Sequence, residues 1–362
     1  MNIKHVIVYR EPGRYAGWPA NYGIWGYGEE LVVGFTSGYH LTDGGFHARD
    51  RSRPFTAMQA RSLDGGESWH SEPMPIVTPG NAGLSVGEHT NASAELEANP
   101  PRPVDRVFDY TGEGFALLFG RKDLQGDASS WYYLSEDRCR TWAGPYAMDK
   151  LGQIGIAART DYIVEGAQQA LVFLTAQTVS GQELGSRVFA ARTSDGGRSF
   201  AFVSWIGDAD GQAFSIMPAS VRLSETELLV ANRIRTYEDG EPKGNYIELH
   251  RSLDSGESWS YAGRPVPDTG QGGNPATLTA LPDGRIAMTY GYRGDRPGIR
   301  AKLSVDGGHT WGDEVILRDD AGSHDIGYPR AALRPDGTLV IVYYYNDEPQ
   351  GACYIAATLW KP

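Results

Sequence analysis

One eight-residue pattern recurs five times, and it constrains the fold more than any other feature of the chain. It reads SLDGGESW from Ser62, SEDRCRTW from Ser135, TSDGGRSF from Thr193, SLDSGESW from Ser252 and SVDGGHTW from Ser304. Four copies fit the frame Ser/Thr-x-Asp-x-Gly-x-Ser/Thr-Trp/Phe. The second keeps Ser135, Asp137, Thr141 and Trp142 but has Arg138, Cys139 and Arg140 in place of glycines. The starts stand 73, 58, 59 and 52 residues apart. A near-regular period of this size marks a repeated supersecondary unit. Between the boxes lie short β-branched and aromatic runs such as ELLVANRI, RIAMTYGY and TLVIVYYY, bounded by turn residues. No long segment carries a helical period. A blade of antiparallel strands repeated around an axis fits this pattern better than a solenoid or a sandwich.

The box has its own physical logic. An Asp in a tight turn accepts N–H bonds from the residues that follow, and glycines take the positive φ values of the turn. The closing Trp69, Trp142, Phe200, Trp259 or Trp311 is large enough to wedge between blades. The boxes therefore read as staples between strands and not as a reaction centre. A sixth unit without a box follows the fifth, GYPRAALRPDGTLVIVYYYND and then GACYIAATLW. The N-terminal KHVIVYR is a strand with no hairpin partner, and pairing it with the last unit removes an open edge. The expectation is an all-β fold, a six-bladed β-propeller over residues 1–362 as one domain, closed by the N-terminal strand. About 60 residues per blade accommodate four strands of roughly 5–6 residues with their loops.

The formal net charge of −12 argues against nucleic acid or an anionic membrane as partner. It leaves room for an acidic small substrate, because a cluster of arginines reverses the field within one pocket. The two cysteines, Cys139 and Cys353, show no metal-ligand spacing, and no cofactor motif is present. MNIKHVIVYREPG lacks an apolar leader core, and no stretch is long and apolar enough to span a bilayer, so a cytoplasmic protein is expected.

The five boxes resemble the Asp-box, or BNR, repeats of the sialidase superfamily. That resemblance implies a six-bladed propeller that cleaves terminal sialic acids from glycans. It also implies an Asp acid/base on a first-blade loop, a Tyr nucleophile, a Glu that takes the tyrosine proton, and three arginines on the sugar carboxylate. In GFHARDRSRPFTAMQARSLDGG the resemblance puts the acid at Asp50, with Asp43 nearby. In HDIGYPRAAL it puts the nucleophile at Tyr328, close to His324, Asp325 and Arg330. Two positions depart from the family. Gly23 stands where the first arginine is expected, and Asn274, before Pro275, stands where the Glu is expected. Arg159, Arg233, Arg235, Arg293, Arg300 and Arg330 are the arginines available for a clamp, since a guanidinium fork matches a carboxylate.

These departures shift the expected substrate from sialic acid toward another acidic sugar, of the uronic-acid type, held on an oligosaccharide. They also open a second mechanism. Propeller lyases that resemble sialidases pair a Tyr with a His to remove the proton beside a carboxylate. His89 and His324 are the histidines at hand for that chemistry. A third reading is a propeller that binds glycan without turnover. The period sets Met217, Asn274 and Tyr328 at equivalent radial positions facing one cavity, with Asn274 touching substrate.

Overall fold

The computed structural model describes residues 3–86, 98–180, 183–207, 213–238 and 241–362. It is all-β: among these residues there is no α-helix, only two single-turn 3₁₀ segments. Most strands follow one another in antiparallel meanders; Ser85–Val86 instead lies parallel to Ala116–Lys122. In the first sheet Glu30–Tyr39 is flanked on one side by Arg14–Gly17 and Gly23–Tyr27, and on the other by Thr56–Ser62 and then His70–Pro73. The second holds Ser85–Val86, Ala116–Lys122, Ser129–Ser135 and Ala143–Ala147. An eight-stranded sheet follows, running from Tyr162–Gly166 to Ser260–Val266. Its two halves meet at a single parallel pairing, Ser186 with Phe214. Ala276–Ala280, Ile286–Tyr292, Gly298–Ser304 and Val315–Arg318 form the next sheet. The last runs Gly327–Leu333, Leu339–Tyr345, Tyr354–Trp360, and its outer strand is the N-terminal Ile3–Tyr9, antiparallel to Tyr354–Trp360.

The core sits between sheets. Leu31, Val33 and Phe35 of the first sheet pack with Val340, Val342 and Ile355 of the last. Val32 packs with Leu118 of the second. Leu171 and Phe173 pack with Leu228 and Val230 across the two halves of the long sheet, with Trp259 against them. Strands such as Glu30–Tyr39 and Leu339–Tyr345 are thus buried on both faces, which is why runs such as TLVIVYYY lack clean alternation.

The boxes behave as expected. In the first, the Asp64 Oδ1 accepts the Ser68 N–H at 2.9 Å and Oδ2 accepts the Ser68 hydroxyl at 2.5 Å, while the Ser62 hydroxyl accepts the Gly66 N–H at 2.7 Å. Gly65 and Gly66 have φ of 68° and 90°. In the second box Arg138 and Cys139 hold the same left-handed values, 60° and 61°. That conformation costs an L-residue about 1–2 kcal/mol. Its compensation is an ion cluster reaching the first sheet. Glu30, nearly buried, takes Arg138 at 3.1 Å, Arg140 at 2.9 Å and Arg61 at 2.6 Å. The lost glycines were exchanged for a tie between neighbouring sheets.

Five strands, Gly23–Tyr27, Tyr162–Gly166, Ala213–Arg222, Ala276–Ala280 and Gly327–Leu333, converge on a cavity of about 420 Å³. The starts of these strands and the loops before them carry the chemistry described next.

Candidate active site

Tyr328 opens the strand Gly327–Leu333 with a φ of 50°, and Met217 has a φ of 54°. Both precede a proline, which disfavours the right-handed helical region at the residue before it. In both strands the ladder skips at this point, between Gly327 and Arg330 and between Ile216 and Ala219. A bulge of this kind re-aims a side chain. A left-handed tyrosine stores roughly 1–3 kcal/mol of strain, so it must be held. Asn274 holds it. Its Oδ1 accepts the Tyr328 N–H at 2.9 Å and its Nδ2 donates to the Ile326 carbonyl at 3.4 Å. Asn274 is fully buried, with both amide ends on backbone. The structure therefore places it behind the tyrosine as a brace, and not on the surface a sugar would meet. Gly327 is required beside it, because its φ is 110° and a Cβ would lie 2.2 Å from Asn274 Oδ1.

Three guanidiniums surround this tyrosine. Arg233 Nη1 donates to the Tyr328 hydroxyl at 2.9 Å and contacts Met217 Sδ at 3.4 Å, and its Nη2 donates to the Gly272 carbonyl. Arg235 Nη2 shares that carbonyl at 2.5 Å. Arg293 donates from Nε to Ile326 O at 3.0 Å, from Nη1 to Gly273 O at 2.9 Å and from Nη2 to the Tyr344 hydroxyl at 2.5 Å. The guanidinium carbons of Arg233 and Arg293 each lie 5.6 Å from the centre of the Tyr328 ring. Among the described residues no carboxylate comes within ion-pair distance of these three arginines. Burial lowers the Arg233 pKa, against the pull of Tyr328 and with Arg235 and Arg293 adding to the effect. Arg233 Nε is buried without a partner among the described residues. The guanidiniums grouped around this buried tyrosine place positive charge at low dielectric, a setting that favours an incoming anion.

A second cluster adjoins it. Asp325 is buried, and its Oδ1 accepts His47 Nδ1–H at 2.6 Å and the Tyr344 hydroxyl at 3.0 Å. Oδ2 accepts the Tyr15 hydroxyl at 3.0 Å and the Cys353 thiol at 3.4 Å. Burial pushes the Asp325 carboxyl up, but the His47 and Tyr344 bonds and the Arg293 charge prevail and hold it at about 2. Burial pushes the His47 imidazole below its ordinary value, more than Asp325 raises it. His47 sits at φ 62°, with its ring 5.3 Å from Trp18 and 4.2 Å from Phe46. Phe46 in turn lies 5.0 Å from the Arg293 guanidinium.

The structure brings Tyr328, Arg233, Arg235, Arg293 and Asn274 together. His324 stands next to them, its Nδ1 2.8 Å from the Arg293 carbonyl oxygen. It lines a cleft of about 490 Å³ with Asp43, Phe46, Gln271, Asp325 and Gln350. The other arginines lie elsewhere. Arg330 binds Asp161 at 3.1 Å and the Ala20 carbonyl at 3.0 Å by the central cavity. Arg159 donates to Asn21 Oδ1 at 2.9 Å. Arg300 meets the Arg318 carbonyl at 2.8 Å and Glu314 at 3.3 Å. Asp50 has an exposed carboxylate that accepts the Ser52 N–H at 2.9 Å and hydroxyl at 2.6 Å. His89 lies outside the described residues. Gly23 has a φ of 146°, and a Cβ there would crowd Trp25 at 3.1 Å and Thr160 at 3.2 Å, so a side chain at this position is strained.

His47, Tyr344, Tyr15, Trp18 and Phe46 were not singled out from sequence. The only signal was positional: FH lies three residues before Asp50, and the HD of HDIGYP contains the Asp that His47 meets.

No protein-family model and no curated protein sequence matches the chain. Solved structures do. A protein of unknown function from Dyadobacter fermentans is 18% identical, with a TM-score of 0.72 over 99% of this chain and 98% of that one. The GH93 α-L-arabinofuranosidase of Fusarium graminearum, solved with arabinobiose, is 13% identical with a TM-score of 0.57, covering 99% and 97%. Trypanosoma rangeli sialidase, in a mutant displaying trans-sialidase activity, is 12% identical with a TM-score of 0.57, covering 99% of this chain and 58% of that one. At these identities the likeness concerns the fold: the chain has the sialidase-like all-β architecture shared by these glycoside hydrolases.

Proposed function

We propose that the chain is a six-bladed propeller that hydrolyses a terminal acidic sugar, of the uronic-acid type in preference to sialic acid, from a glycan. Six blades follow if the eight-stranded sheet is counted as two four-stranded units joined at Ser186 and Phe214, with Ile3–Tyr9 closing the ring on Tyr354–Trp360. The observation that carries the function is the Arg233–Tyr328 pair. A guanidinium donates to a phenol at 2.9 Å, with Arg235 and Arg293 alongside; among the described residues none of the three is ion-paired, and only Arg293 feels the nearby Asp325 charge. The positive charge of such a site favours a sugar carboxylate. It also stabilises negative charge on the tyrosine oxygen as that oxygen acts as nucleophile or leaving group. The fold is one in which glycoside hydrolases occur, and that supports the reading as analogy only.

Asn274 favours a second reading, because an amide beside Tyr328 cannot take its proton as a Glu would. In that reading the arginines acidify the proton beside a uronate carboxylate, a histidine removes it, and the glycan is cleaved without water.

Calorimetric titration tests the shared premise. Glucuronate and N-acetylneuraminate should bind, glucose should not, and binding should weaken with salt. R233Q should lower the affinity at least about 10-fold, in line with the loss of one charge-assisted hydrogen-bond set. Equal affinity of the variant, or equal binding of glucose, would refute an anion site at Tyr328.

A further inference from the structure

The second cluster has a property that the acidic-sugar reading does not require. Asp325 gathers four side-chain donors, from His47, Tyr344, Tyr15 and Cys353, and Asn346 Nδ2 holds its backbone carbonyl at 2.8 Å. A carboxylate so bound cannot turn. It accepts only, so the bonding assigns the proton of a neutral His47 to Nδ1 and leaves the lone pair on Nε2. Among the described residues Nε2 has no protein partner, and the ring keeps about a fifth of its surface exposed. The ring of Tyr344 packs against both His47 and Tyr328, at 6.4 and 5.9 Å between centres. Phe46 bridges His47 and Arg293.

We infer that His47 is the proton-transfer residue of this site and that Asp325 is its positioning residue, an inference that rests on the acidic-sugar reading. The cycle balances in two steps. In the first, the Tyr328 oxygen bonds the anomeric carbon, the glycosidic C–O bond breaks with its electron pair on the departing oxygen, and that oxygen ends with the phenolic proton. In the second, a water oxygen bonds the anomeric carbon and gives a proton to His47 Nε2. The bond from that carbon to Tyr328 breaks with its pair on the phenolate, stabilised by Arg233, and the imidazolium proton restores the phenol. The groups facing His47 are Asp325, Tyr15 and Tyr344, with Arg293 and Arg49 contributing positive charge, and the uncharged Trp18 and Phe46. Burial, helped by Arg293 and Arg49 against the opposing Asp325, lowers the His47 pKa and favours the neutral ring, the state a base needs.

Two measurements test this together. Imidazole ¹⁵N spectra of the protein, with the His47 signals assigned by their loss in H47N, should show a neutral ring protonated at Nδ1 at pH 7. A charged ring, or the Nε2–H tautomer, overturns the proposal whatever the activity. In kinetics on 4-methylumbelliferyl glucuronide and sialoside, H47N should lower kcat by about 10²–10⁴-fold with KM unchanged. The Asn amide keeps the bond to Asp325, so folding is preserved, and added imidazole should recover part of the rate in H47A. Turnover unchanged in H47N overturns the role of His47 while leaving the acidic-sugar reading intact. Absence of both turnover and binding of acidic sugars overturns the two together.

Discussion

Replacing Asp325 by Asn is the sharpest perturbation of the folded state that this structure offers. The carboxyl is held at about 2 in the fold, against 3.8 for the ordinary group. At about 1.36 kcal/mol per pH unit, that depression corresponds to a stabilisation on the order of 2 kcal/mol at neutral pH. The sign follows from the direction. The folded value is depressed, so the contribution is complete above about pH 4 and is lost as pH falls toward 2. D325N carries no charge at any pH. It keeps an acceptor for two of the donors but turns an NH₂ group toward hydroxyls that already donate. Urea unfolding followed by tryptophan fluorescence at pH 7, 5 and 3 should show the variant less stable by about 2 kcal/mol at pH 7 and 5, with the gap narrowing at pH 3. A gap below about 0.5 kcal/mol at pH 7, the range of an ordinary surface change, would refute the reasoning. So would a gap that stays constant with pH.

Further outcomes follow from other contacts. Y328F should lower turnover of an acidic glycoside by about 10²-fold or more while changing stability by only about 1 kcal/mol, the worth of one hydrogen bond, as read by kinetics and melting in parallel. G327A should drive Asn274 from the Tyr328 N–H, since the new Cβ would lie 2.2 Å from its Oδ1, and should lose about 1–3 kcal/mol of stability along with activity. E30Q should weaken the tie among Arg61, Arg138 and Arg140 and expose the strain at Arg138 and Cys139, seen as a lower melting temperature that does not alter sugar binding. His47, with its pKa depressed in the fold, favours the native state above its unfolded value near 6.5 and costs stability as pH drops below it, so H47N should flatten the pH dependence of melting between about pH 6.5 and 5.

The parts of this molecule that were legible in sequence are those set by local chemistry. A box carries its own hydrogen bonds, so Ser62, Asp64, Gly66 and Ser68 announce their turn wherever they occur. KHVIVYR needed an edge, and it pairs with Tyr354–Trp360. The proline after Tyr328 marked a strand start, while the one after Met217 falls inside Ala213–Arg222, and neither showed that both residues would be left-handed bulges. The site was only half legible, because its second cluster joins residues with no shared period. His47 comes from the loop between Glu30–Tyr39 and Thr56–Ser62, Asp325 from the loop before the last sheet, and Tyr344 is the middle of three tyrosines ending a strand. Asn274 was misjudged for a related reason. Sequence shows a polar residue at a strand start, but only packing shows that both of its amide ends are engaged behind the tyrosine. Counting arginines could not show which ones share the Tyr328 cluster: Arg159, Arg300 and Arg330 have amide, carbonyl and carboxylate partners outside it.

The central claim is that this site cleaves a terminal acidic sugar with water. Mass spectrometry of products formed in H₂¹⁸O, from a panel of sialylated and uronate-capped oligosaccharides, tests it most directly. The expected product is the acidic monosaccharide carrying one ¹⁸O at its anomeric carbon, and Y328F should abolish its release. An unsaturated product without added water would contradict hydrolysis and establish the lyase reading, and no cleavage of any panel member would leave a propeller that binds glycan without turning it over.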